Sequence, residues 1–167
     1  MITSNAGDII RQIRVYRREL RKKEEAIVSE LVDQGREIAN NELDRAKYTG
    51  YLDAQIEAEA KKKRGHVSMV GYDAGFVEFG TGMTYVNADQ VHPKADEYGA
   101  IRGEWGNKEG ANPPWIFHDE PGNAPATVSI GKGKSLTFGI PANRTMYNTG
   151  KELHERLEDI VKDVFDD

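Results

Sequence analysis

Between residues 6 and 48 the apolar positions Ile9, Ile13, Tyr16, Leu20, Ile27, Leu31 and Ile38 recur at steps of three, four or seven. That is one face of a 3.6-residue period, and it predicts helix. Arg11, Arg14, Arg18, Arg21 and Lys22 lie off this face. From residue 27 a second stripe begins, made of Val28, Val32, Gly35, Ala39 and Leu43. The first half of the segment therefore offers a narrow apolar face and the second half a wider one. One unbroken helix here would be about 60 Å long. The expectation is a break near Lys22–Glu25 or an N-terminal half that projects from the body. Gly35 costs about 1 kcal/mol relative to alanine inside a helix, so close packing against a neighbour is expected there.

After Thr49-Gly50 the period changes to two. Leu52, Ala54, Ile56, Ala58 and Ala60 alternate with polar residues, the mark of a half-buried strand. Lys61 to Gly65 reads as a charged turn and His66 to Tyr72 as the returning strand of a hairpin. Ala74–Phe79 fits either a short strand or one or two helical turns. A second hairpin is predicted from Thr127–Ile130, a turn at Gly131–Lys134, and Ser135–Phe138. Between them, residues 83–126 read as one long Gly/Pro-rich loop carrying Trp105 and Trp115. A final helix is expected over about 142–165, burying Met146, Gly150, Leu153, Leu157, Ile160, Val161 and Val164. The predicted class is α+β in a single domain, 1–167. A small, mainly antiparallel sheet of about four strands (49–141, with the long loop) is packed by a long N-terminal helix, or two (1–48), and a C-terminal helix (142–167).

Charge changes this picture in one respect. The net charge of −5 is uneven: residues 1–64 carry 14 Lys or Arg against 12 Asp or Glu, and the remainder carries 9 against 16. A bulk nucleic-acid binder is normally basic overall, which lowers that class. There is no cysteine, hence no disulfide framework and no thiolate metal site. No apolar run approaches membrane-spanning length and no signal-peptide pattern opens the chain, so a cytoplasmic protein without membrane contact is expected.

Candidate chemistry is sparse. His66, His92, His118 and His154 show no helical metal spacing, and His92 with Asp96 lacks an obvious third ligand. No metal and no cofactor is expected. Gly131-Lys132-Gly133-Lys134-Ser135 fails as a phosphate loop. Val128 stands where the pattern needs glycine, and a strand follows where it needs a helix. No nucleophile elbow is present. What stands out is Val77-Glu78-Phe79-Gly80-Thr81-Gly82. A carboxylate between two apolar residues needs a partner, and the N–H groups of the Gly80-Thr81-Gly82 turn are the nearest donors. Glu78 is thus expected to fasten a backbone bend, with no catalytic residues in the chain.

Several strings together resemble one family. They are Leu31–Ala39 leading to Asn41-Glu42-Leu43, Tyr48-Thr49-Gly50-Tyr51-Leu52, VEFGTG at 77–82, Trp115-Ile116-Phe117, and Gly139-Ile140-Pro141-Ala142-Asn143-Arg144-Thr145-Met146-Tyr147-Asn148-Thr149. In these the chain resembles the neck or tail-completion proteins of long-tailed phages, which join head to tail and are also described as minor tail components. It differs in the length of 83–126 and in the Pro-Ala-Asn-Arg string, where proline-phenylalanine is more usual. The resemblance implies a virion structural subunit of a homo-oligomeric ring at the head–tail joint, made in the host cytoplasm. It would touch other neck and tail proteins. A ring subunit needs two complementary faces, and a basic first helix and an acidic last helix offer such a pair. The candidate interface is Arg11, Arg14, Arg18, Arg21, Lys22, Trp105 and Trp115.

Two rival classes stand beside this. A nucleic-acid-binding module would use the basic Arg11–Lys23 helix, touching DNA through phosphate. A small hydrolase would use Glu78 with His92 or His118.

Overall fold

A computed structural model describes residues 6–46, 52–80, 92–95, 97–98, 115–117, 127–137 and 142–166. The order is α1 (Ala6–Arg45), β1 (Gln55–Lys61), β2 (Arg64–Val70), α2 (Ala74–Phe79), β3 (Trp115–Phe117), β4 (Thr127–Gly131), β5 (Lys134–Thr137) and α3 (Thr145–Asp166).

The first helix is unbroken over 40 residues. Its C-terminal half carries the body: Val32, Gly35, Ile38, Ala39, Glu42 and Leu43 are buried. Its N-terminal half projects. Ile9, Ile13 and Tyr16 are 55%, 48% and 65% exposed, so the apolar face stands largely open there among the described residues. The helix therefore takes the second of the two expected forms.

The β1–β2 hairpin lies against α1. Its register runs from Gln55 opposite Val70 to Lys61 opposite Arg64, leaving a two-residue turn at Lys62-Lys63. Leu52, Ala54, Ile56 and Met69 pack on buried Leu43, Ala46 and Val77. Ala60, expected on the inner face, is exposed because the strand has already reached its turn. The ambiguous Ala74–Phe79 segment is helical.

Helix α3 lies alongside α1. A Cβ on Gly35 would stand 3.0 Å from Leu153 Cδ1 and 3.1 Å from Val67 Cγ2. The bare helix position is thus where β2 and α3 both close on α1. Farther along, the Lys23 ammonium donates to the Val164 carbonyl at 2.6 Å and to that of Phe165 at 3.3 Å. It also sits 5.3 Å from the Phe165 ring centroid. A lysine from α1 thereby satisfies carbonyls that the last turn of α3 leaves without helical partners.

Three expectations are corrected. The single sheet of about four strands is replaced by two sheets, one of two strands (β1–β2) and one of three (order β3-β5-β4). Each hairpin closes on its own short turn, and β5 has both edges occupied, by β4 and by β3. Residues 83–126 are not all loop: Trp115–Phe117 is β3, too short a run to show a period. On α3, Gly150 and Leu157 are exposed, whereas Thr145 and Thr149, not assigned to the inner face, are buried. The second hairpin forms with its turn at Lys132-Gly133, as expected of a strand turn rather than a phosphate loop. Trp105 lies outside the described residues, and of Trp115 only the backbone is described.

Gly35→Leu is expected to lower the unfolding free energy by about 1–3 kcal/mol, because the new side chain must displace Leu153 and Val67. Gly7→Leu, where an added Cβ meets nothing within 4 Å, is expected to leave stability unchanged or slightly raised. Urea titration of both variants checks this.

Candidate functional site

Glu78 occupies the last turn of α2, and local chemistry fixes that helix. The Asp53 N–H donates to Asp73 Oδ2 at 2.9 Å, and the Tyr72 N–H donates to Asp53 Oδ2 at 3.2 Å. The Asp73 N–H also donates to the Asp53 carbonyl at 2.9 Å. This clasp ties the entrance of β1 to the exit of β2. It requires glycine at position 71, which has φ +126° and where a Cβ would stand 2.2 Å from the Asp53 carbonyl oxygen. Gly80 ends α2 with φ +74°, donating its N–H to the Phe76 carbonyl at 2.8 Å.

The end of α2 then meets the start of α3. The Asn143 N–H donates to the Val77 carbonyl at 2.9 Å and the Arg144 N–H to the Glu78 carbonyl at 3.2 Å. Glu78 Oε2 accepts from the Met146 N–H at 2.7 Å, and Oε1 from the Tyr147 N–H at 3.0 Å. These are N–H groups of the first turn of α3, which have no acceptor within the helix. Arg144, the residue before the helix, has φ +61° and no short oxygen-bearing side chain to cap with. The carboxylate supplies the cap from another helix, with the favourable sign for a helix N-terminus.

The end of α1 joins the same place. Asn143 Nδ2 donates to the Glu42 carbonyl at 2.9 Å and to Thr145 Oγ1 at 2.7 Å. Asn148 Nδ2 donates to Glu42 Oε2 at 2.7 Å. Arg45 donates to the other oxygen, Glu42 Oε1. Thr149 Oγ1 donates to the Thr145 carbonyl at 2.7 Å, one turn back. Two buried carboxylates, Glu42 and Glu78, are thus each met by donors of α3 or of the Asn143–Thr145 segment before it.

Glu78 also faces His92. His92 Nε2 lies 3.0 Å from Glu78 Oε1, and the Lys94 N–H donates to His92 Nδ1 at 3.0 Å. A backbone N–H only donates, so Nδ1 is the acceptor and Nε2 carries the proton given to Glu78. Both ring nitrogens are engaged. The ring packs 4.6 Å from the centroid of Phe79 and 5.4 Å from that of Tyr147. The pair lies at the base of a cleft of about 560 Å³ rimmed by Phe79, Lys94, Tyr98, Lys151 and His154. Lys94 is paired with Glu97 and Lys151 with Glu155.

This geometry bears on the hydrolase rival from both sides. It brings Glu78 and His92 together beside a cleft, as that rival requires. Yet Glu78 Oε1 accepts from two donors and Oε2 from one, and both imidazole nitrogens are engaged. A catalytic base needs a lone pair aimed at the substrate. His118, the other imidazole weighed for that role, lies outside the described residues, as do Asp96 and the turn residues Thr81 and Gly82. The described donors to Glu78 are those of α3 and His92, and of the turn only Gly80 is described, its N–H going to the Phe76 carbonyl.

Arg11, Arg14, Arg18, Arg21 and Lys22 are all exposed, on the projecting half of α1 and far from this joint. Sequence reasoning missed Glu42, Asn143, Asn148 and Lys23. The available signal was Asn143-Arg144-Thr145, a polar run directly before an amphipathic stripe, which is the usual composition of a helix start. No family model, curated protein or solved structure matches the chain.

Glu78→Gln turns one oxygen into a donor that faces another N–H. It is expected to lower the unfolding free energy by about 1–3 kcal/mol. A catalytic carboxylate predicts instead lost turnover with an unchanged melting temperature. Thermal denaturation of the two proteins separates these.

Proposed function

We propose that this chain is a structural subunit of a phage head–tail joint, a ring-forming neck or tail-completion protein and not an enzyme. The observation that carries the assembly reading is the projecting half of α1. It extends about 25 Å beyond the point where Lys23 meets the end of α3 and presents Ile9, Ile13 and Tyr16 to solvent. An apolar stripe on a free-standing helix is a surface for another protein. The chemistry at Glu78 and His92 is consumed internally, which favours a building block over a catalyst.

The phage identity rests on the resemblance, and one structural relation supports it. VEFGTG at 77–82 and the Pro-Ala-Asn-Arg-Thr-Met string at 141–146 are distant in sequence. Val77 and Glu78 accept from Asn143, Arg144 and Met146, so the two strings form one joint. Their joint occurrence then has a physical reason: the acid of the first caps the helix that the second begins. In this reading the partners are further copies of the chain, other neck and tail proteins, and the virion is its location. DNA contact by the arginines of α1 is a second role compatible with a ring around a conduit.

In particles of the phage or prophage that encodes the chain, gold-labelled antibody is expected to mark the capsid–tail junction. Removal of the gene is expected to leave filled heads and finished tails unjoined. Label elsewhere, or joined particles without the chain, rules the proposal out. Duplex DNA binding that falls steeply with salt, with no place in the particle, returns the nucleic-acid module instead.

A further inference from the structure

The uncovered face of the arm continues a contact that the fold already makes. Ile9, Ile13, Tyr16, Leu20, Lys23, Ile27 and Gln34 follow one line with alternating steps of four and three, the last spanning seven. At its far end this line meets α3. Lys23 bonds to the carbonyls of Val164 and Phe165, and Arg156 donates to Gln34 at 3.5 Å. Beyond Lys23, α3 has ended and the line runs on bare. The arm is thus a helix-packing seam lacking its second helix.

Charge selects what fills it. Residues 6–23 carry seven Lys or Arg against two acids. Asp8 and Glu19 pair with Arg11 and Lys22. Arg14, Arg17, Arg18 and Arg21 make no ion pair among the described residues. Helix α3 has the opposite balance, six acids against three cations. Glu152 and Glu155 are paired with Arg156 and Lys151, while Glu158, Asp159 and Asp163 have no ion pair among the described residues. Beside Glu158 runs an apolar strip of exposed Leu157, half-buried Val161 and exposed Phe165, spaced by four, whose last member already carries the Lys23 ammonium of α1 5.3 Å from its ring centroid. Two arms packed together would oppose like charges. Duplex DNA would meet the arginines and leave the isoleucines and Tyr16 in water.

We propose that the arm docks on a second copy of this chain, along the exposed strip of α3 at Leu157 and Val161, with Phe165 at its end and Glu158 at its border. The two copies use different surfaces, so each subunit keeps one free arm and one free α3. Such a contact propagates and closes into a ring when its rotation allows. The inference rests on the assembly role proposed above and names its contact.

The absence of cysteine from the chain permits a direct test. Tyr16→Cys is made in one preparation, and Leu157→Cys or the neighbouring, also exposed Glu158→Cys in another. The preparations are mixed at low salt under mild oxidation. The expected product is the mixed disulfide dimer, in excess over either homodimer and over the same mixture in urea. It is expected to be lost at high salt and when Arg14 and Arg17 are also changed to Glu. Predominant arm-to-arm disulfides overturn the proposal. So does a mixed yield no higher than in urea, or a yield that duplex DNA abolishes by occupying the arm. Cross-linking by a chain absent from the capsid–tail junction leaves the contact standing and removes the head–tail role. Labelling at the junction without the mixed disulfide does the reverse.

Discussion

A helix that begins against its neighbours leaves first-turn N–H groups that must find acceptors. In this chain α3 begins after Arg144, which supplies no capping oxygen. The acceptors come from α2, as the two oxygens of Glu78. The rest of the body depends on this arrangement. It fixes where α3 starts, and so where Leu153 meets Gly35 and where the last turn meets Lys23. The fully buried apolar residues among those described are few and several are alanines, so hydrophobic burial alone specifies little. Satisfied polar groups at the end of α1, the end of α2 and the start of α3 set one geometry. Arg144 Nε is the exception at this joint, buried with no hydrogen-bond partner among the described residues.

The same satisfaction explains why an acid and an imidazole beside a cleft are read as structure. Catalytic pairs keep one lone pair or one proton directed at the substrate. Here the Lys94 N–H takes one side of His92 and Glu78 takes the other, while the Met146 and Tyr147 N–H groups of α3 donate to the carboxylate. Reactivity would have to begin by breaking the cap of a helix. Among the described residues, exposed apolar side chains and charges without an ion pair lie on the arm and on the exposed strip of α3. They are of kinds suited to holding proteins together: isoleucines, a tyrosine and charges of opposite sign that make no ion pair among the described residues.

Much of the secondary structure was legible. The steps of three, four and seven from Ile9 to Ile38 marked α1, and its length implied either a break near Lys22–Glu25 or a projecting half. Gly35 was readable as a close approach because nothing else justifies its cost in a helix. Both hairpins followed from period two around charged or glycine-rich turns. The grouping of strands into sheets was not legible, because pairing between distant segments leaves no period in either one. Trp115–Phe117 was hidden by being three residues long. On α3 the apolar stripe indicated the inner face only approximately. Thr145 and Thr149 are buried there because the first turns face hydrogen-bonded groups, while Leu157 lies toward solvent.

The sequence by itself determined that Glu78 must have polar partners, since a charge between Val77 and Phe79 has no other way to be tolerated. It also determined that residues 9–20 carry an apolar face beside a dense run of arginine, because helical spacing is a local property. Only the tertiary structure decided who the partners of Glu78 are. They come from positions 92, 146 and 147, and hydrogen bonds across such separations depend on how three helices converge. It likewise decided that α3 stops at Lys23 and leaves the arm bare, since which part of a stripe is covered depends on the length and placement of another element.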